Sequence, residues 1–472
     1  MRKIGKQALA IIVIAVFAVT GCKKGAENSF DRLTMAGGVF NGPKEVIEGT
    51  ISVNRTLSPG KVYELKGVVY VINGAKLTIE PGTVLTAGEA VNYKVSPGTT
   101  TINSIAGVLV ITRGSSIHAV GTPENPIVFT SPKGPGERIA GDFGGVMILG
   151  QSTTNKPSTQ LADGLPQYDG SGNPLGIDIS YGGSIAADDS GELQYVRIEY
   201  AGYKLAEENA VNGLTLAGVG SGTSVDHVQV SYSADDAFEF FGGTVNSSYL
   251  LALGSADDDF DSTYGYTGHI QYAIGLKDPV SAHSAVNGVF DSNGIESDND
   301  LMGTNTSPRT TPVYANFTLL GYSTAAQGIS LRAGNRWRRN SNLSVTNSII
   351  AGYNVGVEFQ GGTEVTATFN GFTNNIVHAY TTVFSPGSAV SLAGSSNVVS
   401  TVSDPGAFLQ LGYFNEDGNL SNPFYSTAVA SEYTIDNLLP LNFSNQKGAV
   451  TYANYAEWTS GWLQFAPQFS MD

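Results

Sequence analysis

The amino-acid sequence predicts an all-β chain wound as a right-handed parallel β-helix with irregular N- and C-terminal caps, and three observations carry that reading. A small residue followed by apolar–x–apolar recurs from Gly67-Val-Val-Tyr-Val to Gly356-Val-Glu-Phe. A second strand type, such as His227-Val-Gln-Val and Tyr249-Leu-Leu-Ala-Leu, stands about 8–10 residues ahead of several copies. The cleanest full period is 22 residues, from Asp235-Asp-Ala-Phe-Glu to Asp257-Asp-Asp-Phe-Asp. One coil of that length cannot bury its own apolar face, so coils must stack. Helical periodicity is absent after residue 22, propeller blades need longer repeats, and no Leu/Asn repeat consensus is present. A β-sandwich, or several β-domains, is the alternative.

The elements follow in chain order. Arg2, Lys3 and Lys6 precede the apolar run ALAIIVIAVFAV, which is shorter than the roughly 20 residues a membrane span needs. Residues 1–21 therefore read as a secretory signal peptide. They end at Val19-Thr20-Gly21-Cys22, which resembles the lipobox of bacterial lipoproteins and makes Cys22 the expected lipidation site. Cys22 is the only cysteine in 472 residues, so an intrachain disulfide is excluded. Residues 22–45 are polar and Gly-containing and read as the lipidated N-terminus with a flexible tether. Residues 46–400 carry the repeats of the β-helix. The pattern fades over 401–472, the expected C-terminal coils and cap, where Trp458, Trp462, Phe465 and Phe469 are suited to close the last coil.

Formal charge is −16, and loss of Arg2, Lys3 and Lys6 with the signal takes it to −19. Such a chain repels nucleic acid and anionic lipid and favours cations. Only 14% of residues are charged, against 58 glycines and 10% aromatics, which is not the composition of a disordered chain.

In a stacked coil, equivalent positions lie one above another. Aligned copies place Val69, Leu109 and Met147, then Thr215, Glu239, Asp261, Glu296, Ser330 and Glu358, in one outward column. The early coils are apolar there, as if covered by another loop. At the preceding corner Asp235 falls over Asp257 and Asp236 over Asp258. Asp259 belongs to the same run, and Asp298 and Asp300 extend it beside Glu296. Two carboxylates one coil apart, about 4.8 Å, repel by roughly 1 kcal/mol even in water-like surroundings. A bound cation, nearby arginines or retained protons are the three remedies. Clustered carboxylates and carbonyls suit Ca²⁺, which takes six to eight oxygen ligands. The candidate metal ligands are thus Asp235, Asp236, Glu239, Asp257, Asp258, Asp259, Asp261, Glu296, Asp298 and Asp300. Arginines are at hand in SLRAGNRWRRNS, one coil beyond Glu296. The alternative is that the acids sit at exposed turns and only solvate the coil edges. Tyr264, Tyr266, Arg332 and Trp337 are candidate ligand contacts, since a sugar needs flat apolar faces beside polar groups.

The segments LTIEPGTVL, VLVITRGSSIHAVGTPENPIVFTS, GDFGGVMILG, DDAFEFFGGTVN, ADDDFDSTYGYTG, GIESDND and WTSGW together resemble a family of β-helical lipoproteins of Bacteroidota and some marine proteobacteria. The resemblance spans nearly the whole mature chain. It implies a parallel β-helix at the outer-membrane surface, anchored by lipid, and a role in nutrient or glycan capture beside a TonB-dependent receptor. It implies no particular activity. Asp235-Asp236 also looks like the Asp-Asp of pectin-type hydrolases, and QGISLRAG is similar to their Gly-His-Gly strand. Gln327 stands where that histidine would be, and the Arg-x-Lys signature is missing. A polysaccharide lyase or glycoside hydrolase using the Asp cluster, with Arg332 as base, is the second functional reading beside ligand capture.

Overall fold

The computed structural model describes residues 35–36, 39–40 and 42–467, apart from 158–159, 207–208, 279–280, 329, 361–370, 387–395, 410–437 and 439–446. Cys22, most of the tether and Phe469 lie outside the described residues. The fold is the expected right-handed parallel β-helix. Among the described residues, 24 strands join in one sheet in which every pairing is parallel, and the corners fold that sheet into three faces.

The first face stacks Val108–Ile111, Gly145–Leu149, Leu214–Ala217, Phe238–Phe241, Phe260–Thr263, Ile295–Asp298 and Ala333–Arg338 in that order. The other two faces come from long strands, among them Gly191–Glu199, Ser224–Ser231, Asn246–Leu253, His269–Leu276 and Val313–Leu320. Each of these bends midway at a residue of positive φ: Tyr195, His227, Tyr249, Tyr272 and Asn316. A left-handed residue turns the chain without breaking the ladder on either side. The outward rings then stack, with centroids 4.6 Å apart for Tyr195–His227, 4.5 Å for His227–Tyr249 and 5.1 Å for Tyr249–Tyr272.

That apolar column decides where the C-terminal segment goes. Trp458 packs 5.4 Å from Tyr249, and Trp462 packs 5.3 Å from His227. Both tryptophans are buried there. Trp458, Trp462 and Phe465, expected over the last coil, lie instead along the flank of the middle coils, against the stacked rings.

Inward positions form continuous columns. Val69, Leu109, Val146, Leu214, Phe238, Phe260 and Ile295 are in register and buried, and the Phe238 and Phe260 rings stack at 5.3 Å. This corrects two early members of the outward column. Val69 and Leu109 face inward, while Tyr70 and Val110 face out beside Met147. The runs VVYV and VLVI are apolar on both faces, so no alternation in the sequence fixes which residue points in. The outward side of these coils is roofed by Tyr93, Ile105, Leu165, Ile179 and Tyr181, which is why it remains apolar.

Ser330 is the third correction. A short helical turn, Ala325–Gly328, displaces the chain, and the strand forms at Ala333–Arg338 instead. Arg336 therefore occupies the column between Glu296 and Glu358. From Thr215 onward the outward column reads Thr215, Glu239, Asp261, Glu296, Arg336, Glu358.

Candidate functional site

The acidic half of the column is made by the 22-residue repeat. Phe238–Phe241 and Phe260–Thr263 pair so that Glu239 lies beside Asp261, and Ile295–Asp298 then sets Glu296 beside Asp261. The corner before each strand carries a second stack, built by side chain–backbone hydrogen bonds. Asn212 Oδ1 accepts from the Asp236 N–H at 3.3 Å, and Asp236 Oδ1 accepts from the Asp258 N–H at 2.8 Å. Asp258 Oδ1 accepts from the Asn293 N–H at 2.7 Å, and Asn293 Oδ1 accepts from the Ala333 N–H at 3.2 Å. The insertion between His269–Leu276 and Ile295–Asp298 thus returns the chain in register. Its short hairpin, Ala285–Val286 with Val289–Phe290, stands at the rim.

The two stacks meet in a cleft of about 1080 Å³. One wall carries Asp235, Asp236, Glu239, Asp257, Asp258, Asp261 and Glu296; the other carries Arg332, Arg336, Arg338 and Arg339. Asp236, Glu239, Asp258 and Glu296 are buried, while Asp235, Asp257 and Asp261 are partly exposed toward the cleft. Carboxylate oxygens of Asp236, Glu239 and Asp261 lie within 4.8 Å of one another, as do those of Asp258, Asp261 and Glu296, and those of Asp236, Asp257 and Asp258.

These acids are out of their ordinary range. Loss of water pushes Asp236, Glu239, Asp258 and Asp261 well above the usual carboxylate values, and each is pushed further by its carboxylate neighbours. Glu239 Oε2 accepts from the Asn212 side-chain amide at 3.3 Å. Burial pushes Glu296 up to about 7 against the pull of Arg338 and Arg336.

The arginine wall is matched within itself. Arg336 reaches Glu296 and Asp291, both at 2.6 Å, and Arg332 reaches Asp291 and Glu358, both at 2.7 Å. Arg338 grips Asp298 through two bonds of 2.8 Å and also touches Glu296, and Arg339 meets Asp298 at 2.7 Å. By contrast, among the described residues no lysine or arginine lies within ion-pair distance of Asp236, Glu239, Asp258 or Asp261.

Seven of the ten expected metal ligands are therefore brought together, and three are not. Asp259 points away from the cleft to a buried Lys277, 3.1 Å off, and to Ser255 Oγ at 2.7 Å. Gly275 leaves room for it, since a Cβ there would stand 2.5 Å from Asp259 Oδ2. Asp298 is neutralised by Arg338 and Arg339. Asp300 closes a local turn, accepting from the Met302 and Thr304 N–H groups at 2.8 and 3.1 Å.

The aromatic contacts also need correction. Strand alternation sends Arg336 and Arg338 outward and Trp337 inward, where it is fully buried against Phe359. Tyr266 is buried against Phe240, its hydroxyl donating to the Val245 carbonyl at 2.9 Å. Tyr264 is buried over Phe241, with Lys156 above its ring. None of the three lines the cleft; of the expected contacts only Arg332 does. Three partners escaped the sequence reading. Asn293 could have been found, since Ser-Asn-Gly-Ile-Glu aligns with Asp-Asp-Ala-Phe-Glu. Asp291 and Asp163 come from loops whose return into the cleft leaves no periodic signal.

Residues 49–463 match the model of the pectate-lyase-like β-helix domain, and the chain belongs to that family. No curated protein and no solved structure matches it.

Proposed function

We propose that this chain is a lipoprotein, anchored through Cys22 in the outer membrane and facing the cell surface, whose cleft binds calcium and captures an anionic ligand. The observation that carries this is the contrast within the cleft. Asp236, Glu239, Asp258 and Asp261 crowd together with no basic partner in ion-pair range among the described residues, beside arginines already matched to other acids. Charges so crowded are tolerated when a cation or protons compensate them. Carboxylates on flexible side chains around an open cleft favour Ca²⁺ over Mg²⁺, which demands tighter octahedral geometry. Coordination positions left facing the cleft are then open to a carboxylate, phosphate or sulfate of the ligand. The lipobox-like Cys22 and the resemblance to surface lipoproteins support capture of a nutrient, glycans included, for delivery to a TonB-dependent receptor.

The test is thermal unfolding in Ca²⁺ and in EDTA. A Ca²⁺-dependent rise in melting temperature that Asp261→Asn removes supports the reading, and equal midpoints in both conditions refute it.

A second reading, a carbohydrate-active enzyme, is favoured by the pectate-lyase-like family match and by a cleft large enough for several sugar rings. Two features weigh against it. The hydrogen bond from Arg332 to Glu358 holds the guanidinium above its already high range, making it a poor base. The clustered carboxyls lie together along one wall, their oxygens within 4.8 Å of one another, whereas glycosidases place theirs on either side of the bond they cleave, about 5 Å or more apart. Release of unsaturated or reducing ends from a polyuronate panel would favour the enzyme.

A further inference from the structure

The repeated motif copies more than a strand. Moving one coil along the helix carries Asp236 onto Asp258, Glu239 onto Asp261, and Asp261 onto Glu296. The triplet Asp236, Glu239, Asp261 therefore maps onto the triplet Asp258, Asp261, Glu296, and both sets bring their oxygens within 4.8 Å of one another. We infer that the cleft holds two divalent cations, one for each copy of the motif, with Asp261 shared between them. The inference rests on the cation-binding reading above and extends it.

Three observations support a pair rather than a single ion. Glu239 is buried, and among the described residues its Oε1 has no hydrogen-bond donor; Thr215 Oγ1, the next position down the same column, is likewise buried without a partner among them. Glu239 lines the cleft, so its unpartnered oxygen is placed to meet a cation there. Next, one further step along the helix gives Asn293, Glu296 and Arg336. There the column position of the third ligand holds a guanidinium, 2.6 Å from Glu296 and from Asp291. The fold thus places a positive charge of its own at the third repeat, where the series of acids ends. Finally, of the five carboxylates in the two triplets Glu296 is matched by Arg336 and Arg338; the other four, Asp236, Glu239, Asp258 and Asp261, carry four negative charges when ionised, which two divalent cations balance and one does not.

The geometry also ranks the sites. Asp236 and Asp258 each use Oδ1 for the ladder of backbone N–H groups, which orients the remaining oxygen. Among the described residues the first triplet has no ion pair with an arginine, whereas Glu296 in the second is shared with Arg336 and Arg338. The first site is the tighter. Translation by one coil sets the two cations about 4.8 Å apart.

The test uses the full chain, stripped with EDTA and titrated with Mn²⁺ alone. Two Mn²⁺ per chain are expected, with an electron paramagnetic resonance signal broadened by coupling across the shared carboxylate. Glu239→Gln is expected to bind one Mn²⁺ with an uncoupled six-line signal. Its midpoint in EDTA should equal or exceed that of the parent, which separates loss of a ligand from failure to fold. Asp261→Asn should abolish the coupled signal. A single uncoupled Mn²⁺ in the parent chain overturns the second site and leaves the cation-binding reading standing. Two uncoupled Mn²⁺ ions overturn the sharing of Asp261. No Mn²⁺ and no Ca²⁺ bound overturns both this inference and the function proposed above.

Discussion

In EDTA, the protein should lose stability as the pH rises from 5 to 8. Asp236, Glu239, Asp258 and Asp261 all have carboxyls raised by burial and by one another. Between an ordinary carboxylate pKa near 4 and these raised values, the native chain holds more protons than the unfolded chain. Stability must then fall with rising pH over that window. Asp261 has column neighbours on both sides, Glu239 and Glu296. At about 4.8 Å each pair repels by about 1 kcal/mol in water-like surroundings and about 3.5 kcal/mol at an effective dielectric of 20. Relief of both pairs by Asp261→Asn is worth between about 2 and 7 kcal/mol at full ionisation, less whatever bound protons have already relieved. For a chain of 472 residues the unfolding entropy is about 1 kcal/mol/K. A loss of about 4 kcal/mol between pH 5 and 8 therefore reads as about 4 °C in a calorimetric scan. Asp261→Asn should flatten that slope and raise the midpoint at pH 8 in EDTA. Saturating Ca²⁺ should restore the parent, by about 2.7 kcal/mol at a hundredfold excess over Kd, and leave the variant unmoved. A midpoint in EDTA that is flat or rises from pH 5 to 8 would refute the reasoning, because it would mean the cluster is ionised and already compensated by the protein.

Further expectations concern the surroundings of the site. Lys277→Met strands Asp259 as an unpaired charge in a fully buried setting, so a loss of about 3–5 kcal/mol is expected in denaturant unfolding; adding Asp259→Asn should recover most of it. Asn293→Ala removes an acceptor and a donor from the corner ladder and should cost about 1–3 kcal/mol, with hydrogen exchange rising first at Ala333. Trp462→Ala takes a buried ring off the His227 stack; an expected loss of about 3–5 kcal/mol should come with early proteolysis of the C-terminal segment. Cys22→Ser should move the protein from the membrane fraction to the soluble fraction of cells that express it.

Much of the fold was legible because a solenoid repeats its rules. Inward Phe238 and Phe260 and outward Glu239 and Asp261 alternate cleanly, so period and face could be read together. The same logic failed where alternation disappears. VVYV and VLVI are apolar on both sides because loops roof their outer face, and a slip of one residue there leaves no trace in the sequence. Ser330 was misplaced because a helical turn consumed the residues that looked like the next strand, and that error hid Arg336 from the column. The aromatic contacts failed for a related reason: Trp337 lies between two arginines in sequence, yet adjacent strand residues face opposite ways. Asp259 shows the same effect, standing between Asp258 and Asp261 in the chain and answering to Lys277 in space. The tail was expected over the last coil and lies along the flank instead, because its partner is a stack of rings contributed one per coil, which nothing in the tail's own sequence reveals.

The most direct test of the central claim is a crystal structure of the protein grown with Mn²⁺, read by anomalous scattering. Anomalous peaks bonded to carboxylate oxygens of Asp236, Glu239 and Asp261, and of Asp258, Asp261 and Glu296, are the predicted result. Peaks only on exposed surface acids, with Asp236 and Glu239 sharing a proton at neutral pH, would contradict it and leave the cluster as a protonated structural feature.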